Sequence, residues 1–366
     1  MTLTDAPALP ADLPTPLLIV DLDVLEHNIA RMQSAMSGRA VALRPHTKTH
    51  RSVEIARQQV AAGASGITVG TLGEAEVMAD GGLDDIFVAY PVWAGRANGP
   101  RLRALSERVR LAVGIDSAVA AVQLGAAVRG ARPLEVLVEI DSGDHRTGVT
   151  TPQAAVDVAR AALENGLAVR GLFTHGGHGY RPDGTRAAAD DEVEALRAAA
   201  AALRSEGIEC SVLSAGSTPT ALLSARDGVT EERPGTYVFG DRQQLHLGAA
   251  TSGQLALWVV ATVVSTSVPG QFVVDAGAKT LAKDLPSFLH GYGVLAGPEG
   301  LTVERTYDYH GVVRLPDGAA PPPVGSLVAI QPNHACPVVN LAETLVVVRD
   351  GEIVDRWTVD ARARNG

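Results

Sequence analysis

Residues 169–180 read VRGLFTHGGHGY: six residues with strand propensity run straight into a loop of glycines, histidines and a tyrosine. An apolar run with a chemically equipped loop at its C-terminal end is the repeating unit of sheets in which parallel strands alternate with helices. Outward from it, between residues 40 and 240, similar runs recur at 41–43 (VAL), 66–70 (GITVG), 85–90 (DIFVAY), 110–115 (RLAVGI), 135–140 (EVLVEI), 210–216 (CSVLSAG) and 235–240 (GTYVFG). Segments rich in Ala, Leu, Arg and Glu separate them. With 169–174 they make eight, starting roughly 20 to 40 residues apart, the length of one strand, one helix and their loops. Eight repeats predict an α/β fold, a closed (β/α)8 barrel of the TIM type; an open doubly wound sheet is the alternative.

Before the first run, Leu25, Ile29, Met32 and Met36 recur at helical spacing and predict a helix entering the barrel, with Asp23 and Glu26 as its capping box. Beyond about residue 250 helical periodicity is lost. Alternating runs appear instead around the turn signals Pro269-Gly270 and Arg349-Asp350-Gly351, with a proline run at 321–323, and predict a C-terminal mainly-β domain. Residues 14–20 (PTPLLIV) are strand-like and are placed to pair with that domain. The expected division is 16–248 for the barrel and 249–366, with the arm 1–15, for the β-domain.

The chain has 366 residues, 46% of them hydrophobic, enough to bury a large core. Its formal net charge of −10 opposes general affinity for nucleic acid or anionic membrane. Two cysteines, Cys210 and Cys336, and an N-terminus without a basic segment followed by an apolar one predict no signal peptide and a reducing, cytoplasmic location. The longest apolar stretch, near 255–264, is too short to span a bilayer.

Barrel enzymes carry their reactive groups on loops at the C-terminal ends of the strands. Here the first run is followed by Lys48, flanked by Arg44, His46 and His50, a cationic setting that lowers an amine's pKa and makes it nucleophilic. The fifth is followed by residues 141–146 (DSGDHR), ending in Arg146, and the sixth by His175, His178 and Tyr180. The seventh is followed by Gly216, Ser217 and Thr218, with backbone N–H groups and hydroxyls at an expected helix start, an anion cradle in the position where barrels usually bind phosphate. Tyr237 falls on the expected eighth strand. A phosphate site and a nucleophilic lysine together point to pyridoxal 5'-phosphate (PLP). His175 and His178 either bind metal, contact the cofactor or cap a turn, and contact with the cofactor is favoured. Arg146 either neutralises a carboxylate, approaches the cofactor's ring nitrogen or forms a surface pair with Asp141 or Asp144. In the β-domain, His334 and Cys336 stand two apart. On an extended strand they would face the same side, as two metal ligands do, and a thiolate beside an imidazole selects zinc over magnesium or calcium, with manganese the other candidate.

These residues resemble the fold-type III PLP enzymes related to D-serine dehydratase and D-threonine aldolase, with an alanine-racemase-like barrel. The resemblance rests on 44–50 (RPHTKTH), 66–82 (GITVGTLGEAEVMADGG), 85–91 (DIFVAYP), 216–220 (GSTPT), 233–241 (RPGTYVFGD) and 332–341 (PNHACPVVNL). It implies Lys48 as the Schiff-base lysine and Gly216 to Thr218 with Tyr237 on the cofactor's phosphate; His46, Arg146, His175, His178 and Tyr180 are expected around the cofactor from their places on the loops. It implies His334 with Cys336 as the metal pair, and a homodimer in which one subunit's β-domain completes the other's active site. The sequence departs from the family at Tyr307-Asp308-Tyr309-His310, where an acidic pair more often precedes the histidine. The implied activity is a PLP- and metal-dependent lyase acting on D-3-hydroxy-α-amino acids: a D-serine dehydratase-like ammonia-lyase, or alternatively a D-threonine aldolase-like enzyme. A racemase and a non-catalytic PLP-binding protein rank below these.

Overall fold

The computed structural model describes residues 6–9, 14–297 and 300–366. The expected N-terminal arm, 1–15, falls partly on residues outside these. Internal contacts divide the chain into two units. One comprises the described residues up to Ala30, Thr49–Ser52 and Thr236–Ala363; the other comprises Arg31–Lys48, Val53–Gly235 and Arg364–Gly366.

The chain begins with β1 (Leu17–Asp21) and α1 (Leu22–Ser37), then alternates through β2 (Ala42–Leu43), α2 (Val53–Ala61), β3 (Ile67–Val69), α3 (Leu72–Asp80), β4 (Asp85–Pro91), α4 (Asn98–Arg108), β5 (Arg110–Ile115) and α5 (Ala118–Ala127). The alternation continues through β6 (Glu135–Ile140), α6 (Pro152–Glu164), β7 (Ala168–Thr174), α7 (Thr185–Ser205), β8 (Val212–Ala215), α8 (Ala221–Ser224) and β9 (Glu231–Glu232). Strands β2 to β9 form one parallel sheet in the order β2-β9-β8-β7-β6-β5-β4-β3. Its two ends meet: His46, just beyond β2, makes a parallel bridge to Thr68 in β3, and Thr68 N–H donates to Pro45 O at 2.8 Å. The sheet is therefore the expected eight-stranded TIM-type barrel. Phe87, Ala112, Leu137, Phe173 and Val212 fill its interior, and the Phe87 and Phe173 rings meet edge to face at 5.1 Å.

The eighth strand is not where the apolar run placed it. Residues 235–240 hold a single 3-10 turn, Thr236–Val238, while Glu231–Glu232 supplies the strand. Pro234, lacking an N–H, follows at once and cannot continue a ladder. The β-branched and aromatic character of 236–239 reflects burial, since Tyr237, Val238 and Phe239 are almost completely enclosed. A strand of two glutamates contradicts ordinary strand propensity and is held by charge. Arg44, itself 1% exposed, donates from Nε to Glu231 Oε2 at 2.7 Å and from Nη1 to Asp85 Oδ1 at 2.6 Å. Ser214 Oγ donates to Glu231 Oε1 at 2.7 Å. Burial alone would raise the Glu231 carboxyl, but Arg44 outweighs it and holds the group below its usual range. Arg233 lies against Phe87 and Phe173, 5.9 and 5.4 Å from the ring centroids, and donates to Ser214 and to the Thr174 carbonyl.

In α1, Leu25, Ile29, Met32 and Met36 are buried as the spacing predicts. The capping box is not formed at Asp23 and Glu26, which pair with Arg349. The Asp21 carboxylate one turn earlier accepts the Val24 N–H at 3.1 Å.

The other unit is mainly β. After α9 (Arg242–His246) come β10 (Leu257–Ser265), β11 (Gln271–Val274), α10 (Ala278–Leu281), β12 (Gly293–Leu295), β13 (Val303–Thr306), β14 (Gly311–Arg314), β15 (Leu327–Pro332), α11 (Ala335–Leu341), β16 (Thr344–Arg349) and β17 (Glu352–Thr358). The sheet runs β13-β14-β11-β10-β1-β16-β17, with β15 also on β10 and β12 on β15. The strand-like N-terminal stretch joins this sheet: β1 lies antiparallel to β10 and parallel to β16. Its Ile19 enters a core with Trp258, Val260, Val346 and Val348. The predicted turn at Asp350-Gly351 closes the β16–β17 hairpin with both residues at positive φ, 52° and 81°, as a two-residue hairpin turn requires.

Replacing Arg44 by methionine leaves Glu231 buried and uncompensated. The expected loss is about 3–5 kcal/mol of unfolding free energy, measured by guanidinium denaturation. The Arg44→Met/Glu231→Leu double variant is expected to recover much of it.

Candidate active site

Lys48 sits in a short 3-10 turn, Thr47–Thr49, immediately beyond β2, and its backbone N–H points to His46 Nδ1 at 3.4 Å. Across the barrel unit, β7 delivers His175 at its C-terminal end. Burial pushes the His175 imidazole well below its usual range, and the charges of Lys48, Arg146 and Arg233 push it further. It is therefore a neutral ring among cations. Tyr180 belongs to the same loop, its ring 6.4 Å from that of His175 and tilted by 43°. His178 is engaged by α7. Its Nε2 meets Asp191 Oδ2 at 3.0 Å, and its Nδ1 is buried without a hydrogen-bond partner. Arg146 is 60% exposed and lies 3.6 Å from Asp144 Oδ2, so of its readings the surface pair is the one formed.

The loop after β8 differs in detail from the open cradle expected. Gly216 N–H is taken by Glu192 Oε1 at 3.0 Å and Ser217 N–H by Thr220 Oγ1 at 3.1 Å, and the following helix, α8, is only four residues long. What this loop presents is small, buried and rich in hydroxyls: Ser217, Thr218 and Thr220 are all enclosed. Together with Lys48 and the neutral His175, this donor set fits a phosphate-bearing aldehyde: an amine to bond, an uncharged aromatic ring, and hydroxyls for an anion. Tyr237 is 3% exposed and lies in the unit that holds the β-sheet.

His334 and Cys336 lie in that same unit, though not on an extended strand. His334 is the residue before α11 and Cys336 is inside the helix, followed by Pro337, which the first turn of a helix tolerates because its missing N–H has no partner there. The Asp241 carboxylate accepts the Ala335 N–H at 3.0 Å and fixes the helix start. The pair is thus brought together by a strand-to-helix corner. His334 Nδ1 meets Asp284 Oδ2 at 2.7 Å, the arrangement by which a carboxylate orients a metal-binding imidazole through its far nitrogen. Cys336 Sγ lies 3.3 Å from Thr49 Oγ1, and Thr49 is the residue after Lys48. Burial opposes charge on His334, but the Cys336 thiolate, Asp284 and Asp241 outweigh it and raise the imidazole to about 11. An imidazole and a sulfur side by side are a donor set that fits a soft divalent metal. Among the described residues, no cluster of three or more His, Cys, Asp or Glu side chains is arranged to hold one, so protein would supply two ligands.

Sequence reasoning missed Asp284, Arg233, Glu192 and Glu139. Asp284 is fifty residues from His334 and carries no local signal. Glu192, on α7, carries no such signal either; the visible clue to Glu139 and Arg233 was charge near strands, since Glu139 lies two residues beyond Leu137 on β6 and Glu231-Glu232-Arg233 precede the apolar run at 235–240. His310 is exposed on the β13–β14 hairpin, where Lys279 reaches Tyr309 Oη at 2.9 Å.

No helix among the described residues is long and apolar enough to cross a membrane. Residues 20–243 match the family model for the alanine racemase N-terminal domain, and residues 256–348 match that for a putative serine dehydratase domain. The D-threo-3-hydroxyaspartate dehydratase of Delftia sp. (strain HT23) is 38% identical over 348 residues, spanning 88% of this chain and 91% of its own. Its solved structure matches with a TM-score of 0.87 at 36% identity, covering 95% of this chain and 97% of that one. Solved forms of D-threo-3-hydroxyaspartate dehydratase also include a histidine-to-alanine variant and a cysteine-to-alanine variant in the metal-free form. The D-threonine aldolase of Arthrobacter sp. is 34% identical over 368 residues, 97% of this chain and 96% of its own. With matches that run through the barrel and the β-sheet alike, the chain belongs to the fold-type III pyridoxal-phosphate enzymes, in the branch that joins an alanine-racemase N-terminal domain to a serine-dehydratase-type domain.

Proposed function

We propose that this chain is a lyase for D-3-hydroxy-α-amino acids that removes the β-hydroxyl and releases ammonia and a 2-oxo acid. Lys48 holds PLP covalently, with His46, His175, Tyr180 and Arg146 around it, His178 behind them and the Gly216, Ser217, Thr218 loop and Tyr237 on its phosphate. His334 and Cys336 hold the metal. When bound, PLP supplies an electron sink for the bond broken at the substrate's α-carbon, and zinc, the metal this donor set selects, supplies a Lewis acid for the departing hydroxyl.

The residues do the rest. Lys48 Nζ would take the α-proton as general base. A neutral His175 does not compete for that proton and adds no positive charge beside the lysine, so the amine stays basic enough to act. Asp284 keeps the His334 imidazole turned so that one nitrogen stays available to metal. The observation that carries the dehydratase reading is the His334–Cys336 pair with its Asp284 support, which is suited to holding a leaving hydroxide. A cysteine variant of the dehydratase relative in metal-free form supports it. The Arthrobacter relative favours a second reading, in which the hydroxyl is deprotonated, the Cα–Cβ bond breaks, and glycine and an aldehyde are released. Both cysteines are free thiols, which supports placing the enzyme in the reducing cytoplasm. The family resemblance supports a homodimer with a shared site.

Product analysis separates the readings. With D-serine, D-threonine and D-threo-3-hydroxyaspartate, ammonia and 2-oxo acid are expected; glycine with aldehyde as main products would replace the dehydratase by the aldolase. Chelator is expected to abolish turnover, and Cys336→Ala to lower bound metal per chain toward zero by elemental analysis. Lys48→Ala is expected to lose the visible absorbance of the lysine-bound cofactor, and retention would remove Lys48 from its role. The depressed His175 makes a separate prediction for the cofactor-free protein. The unfolded chain gains a proton there below its ordinary value near 6.5 and the folded chain does not, so stability falls as pH drops through that region, by up to about 1.4 kcal/mol per pH unit. Unfolding free energies from pH 7 to 5 are expected to show this slope in the wild type and its loss in His175→Gln.

A further inference from the structure

The loops after β7 and β8 carry His175 and Ser217, and a side chain from α7 ties them together. Glu192 is fully buried, and its Oε1 accepts both the Gly176 N–H at 2.7 Å and the Gly216 N–H at 3.0 Å. A single carboxylate oxygen therefore fixes the residue after His175 and the residue before Ser217. Both loop positions must be glycine. A Cβ on Gly176 would lie 2.8 Å from the Glu192 carboxyl carbon. One on Gly216, whose φ is +98°, would lie 1.9 Å from Oε2 of a second buried carboxyl, Glu232. Glu232, on β9, accepts the Ser224 hydroxyl through Oε1 at 2.7 Å. The remaining oxygens, Glu192 Oε2 and Glu232 Oε2, are both buried without a hydrogen-bond partner. Both carboxyls are therefore gathered at Gly216, one on its N–H and the other against the space beside its Cα.

The charges around the pair do not remove the need for a proton. Arg233, from the residue after Glu232, is the cation acting on both, but it also serves Glu231 and Glu139. Arg44 is engaged by Glu231 and Asp85. From α8 and its approach come only the hydroxyls of Thr220 and Ser224. Two buried carboxylates at one glycine do not both ionise. Burial raises Glu192, and burial together with the Glu192 charge raises Glu232 well above the usual carboxylate range.

We infer that Glu192 and Glu232 form a carboxyl–carboxylate pair sharing one proton, and that Glu192, held in place by this pair, is the positioning residue that sets the His175 and Ser217 loops for the cofactor. This rests on the PLP reading above. Neither glutamate touches the reacting atoms. The proton rests on Glu232, the carboxyl raised further, which leaves Glu192 ionised with Oε1 accepting both backbone N–H groups.

The test is PLP titration of the cofactor-free full chain, followed by visible absorbance, with infrared spectra of the same samples. Glutamine can stand on either side of the pair, keeping the oxygen acceptor and offering N–H in place of the shared proton, so Glu192→Gln and Glu232→Gln are expected to bind PLP within about three-fold of wild type. Glu192→Leu leaves two buried N–H groups without an acceptor and is expected to bind at least about ten-fold more weakly. Its far-UV circular dichroism shows whether the barrel is intact. The wild-type minus Glu232→Gln infrared difference at neutral pH is expected to contain the carbonyl stretch of a protonated carboxylic acid. Wild-type affinity in folded Glu192→Leu overturns the positioning role, and absence of the protonated-acid band overturns the shared proton. If Glu192→Leu does not fold, the glutamine variants decide, and a loss above about ten-fold in either overturns the inference. Failure of the wild type itself to take up PLP would instead sink the cofactor reading.

Discussion

Charge buried in the barrel wall is the constraint on which the rest of the structure depends. The closing strand β9 is two residues long, and both are glutamates. Its register on β2 and β8 is fixed because Arg44 reaches Glu231 from one side and Ser214 reaches it from the other. A slip of one residue would carry Glu231 away from Arg44 and leave two buried charges unpaired, a cost well above that of any ladder hydrogen bond. Arg233 continues the network inward, lying against Phe87 and Phe173 and binding the end of β7. Barrel closure and placement of the His175 loop are therefore consequences of one set of ion pairs.

The same network explains why the site is electrostatically tuned where it is. Burial, reinforced by the charges of Lys48, Arg146 and Arg233, keeps His175 uncharged, while burial raises Glu139. A neutral imidazole beside carboxyls held above their usual range means that proton positions in this part of the barrel are set by the protein itself.

Much of this was legible in the sequence. Seven of the eight strands lie within a residue or two of their apolar runs, because a strand buried in a barrel must be apolar, and the lysine is where a barrel puts its chemistry. The eighth strand was not legible, since its residues are charged and their partner, Arg44, is 187 positions away in the chain. His334 and Cys336 stood out as a pair from their spacing, but the corner that joins them depends on Asp241 and Asp284, distant residues that spacing does not reveal. The loop after β8 is small, polar and buried, as its composition suggests. Its backbone donors were over-counted because Glu192 and Thr220, which occupy two of them, act from buried positions that look like ordinary helix and loop residues in a linear reading.

One feature of the chain's path bears on how such a protein is inherited. The boundary between the two contact units is crossed after Ala30, Lys48, Ser52, Gly235 and Ala363, so neither unit is a continuous segment, and the lysine is the last residue on its side of one crossing. Recombination that moves a barrel or a β-sheet between genes works by exchanging contiguous stretches. Here any such exchange would carry Thr49–Ser52 away from the sheet they pack with, or β1 away from the strands it pairs. An exchange that keeps both cores intact must therefore carry these short segments along with the unit in which they pack.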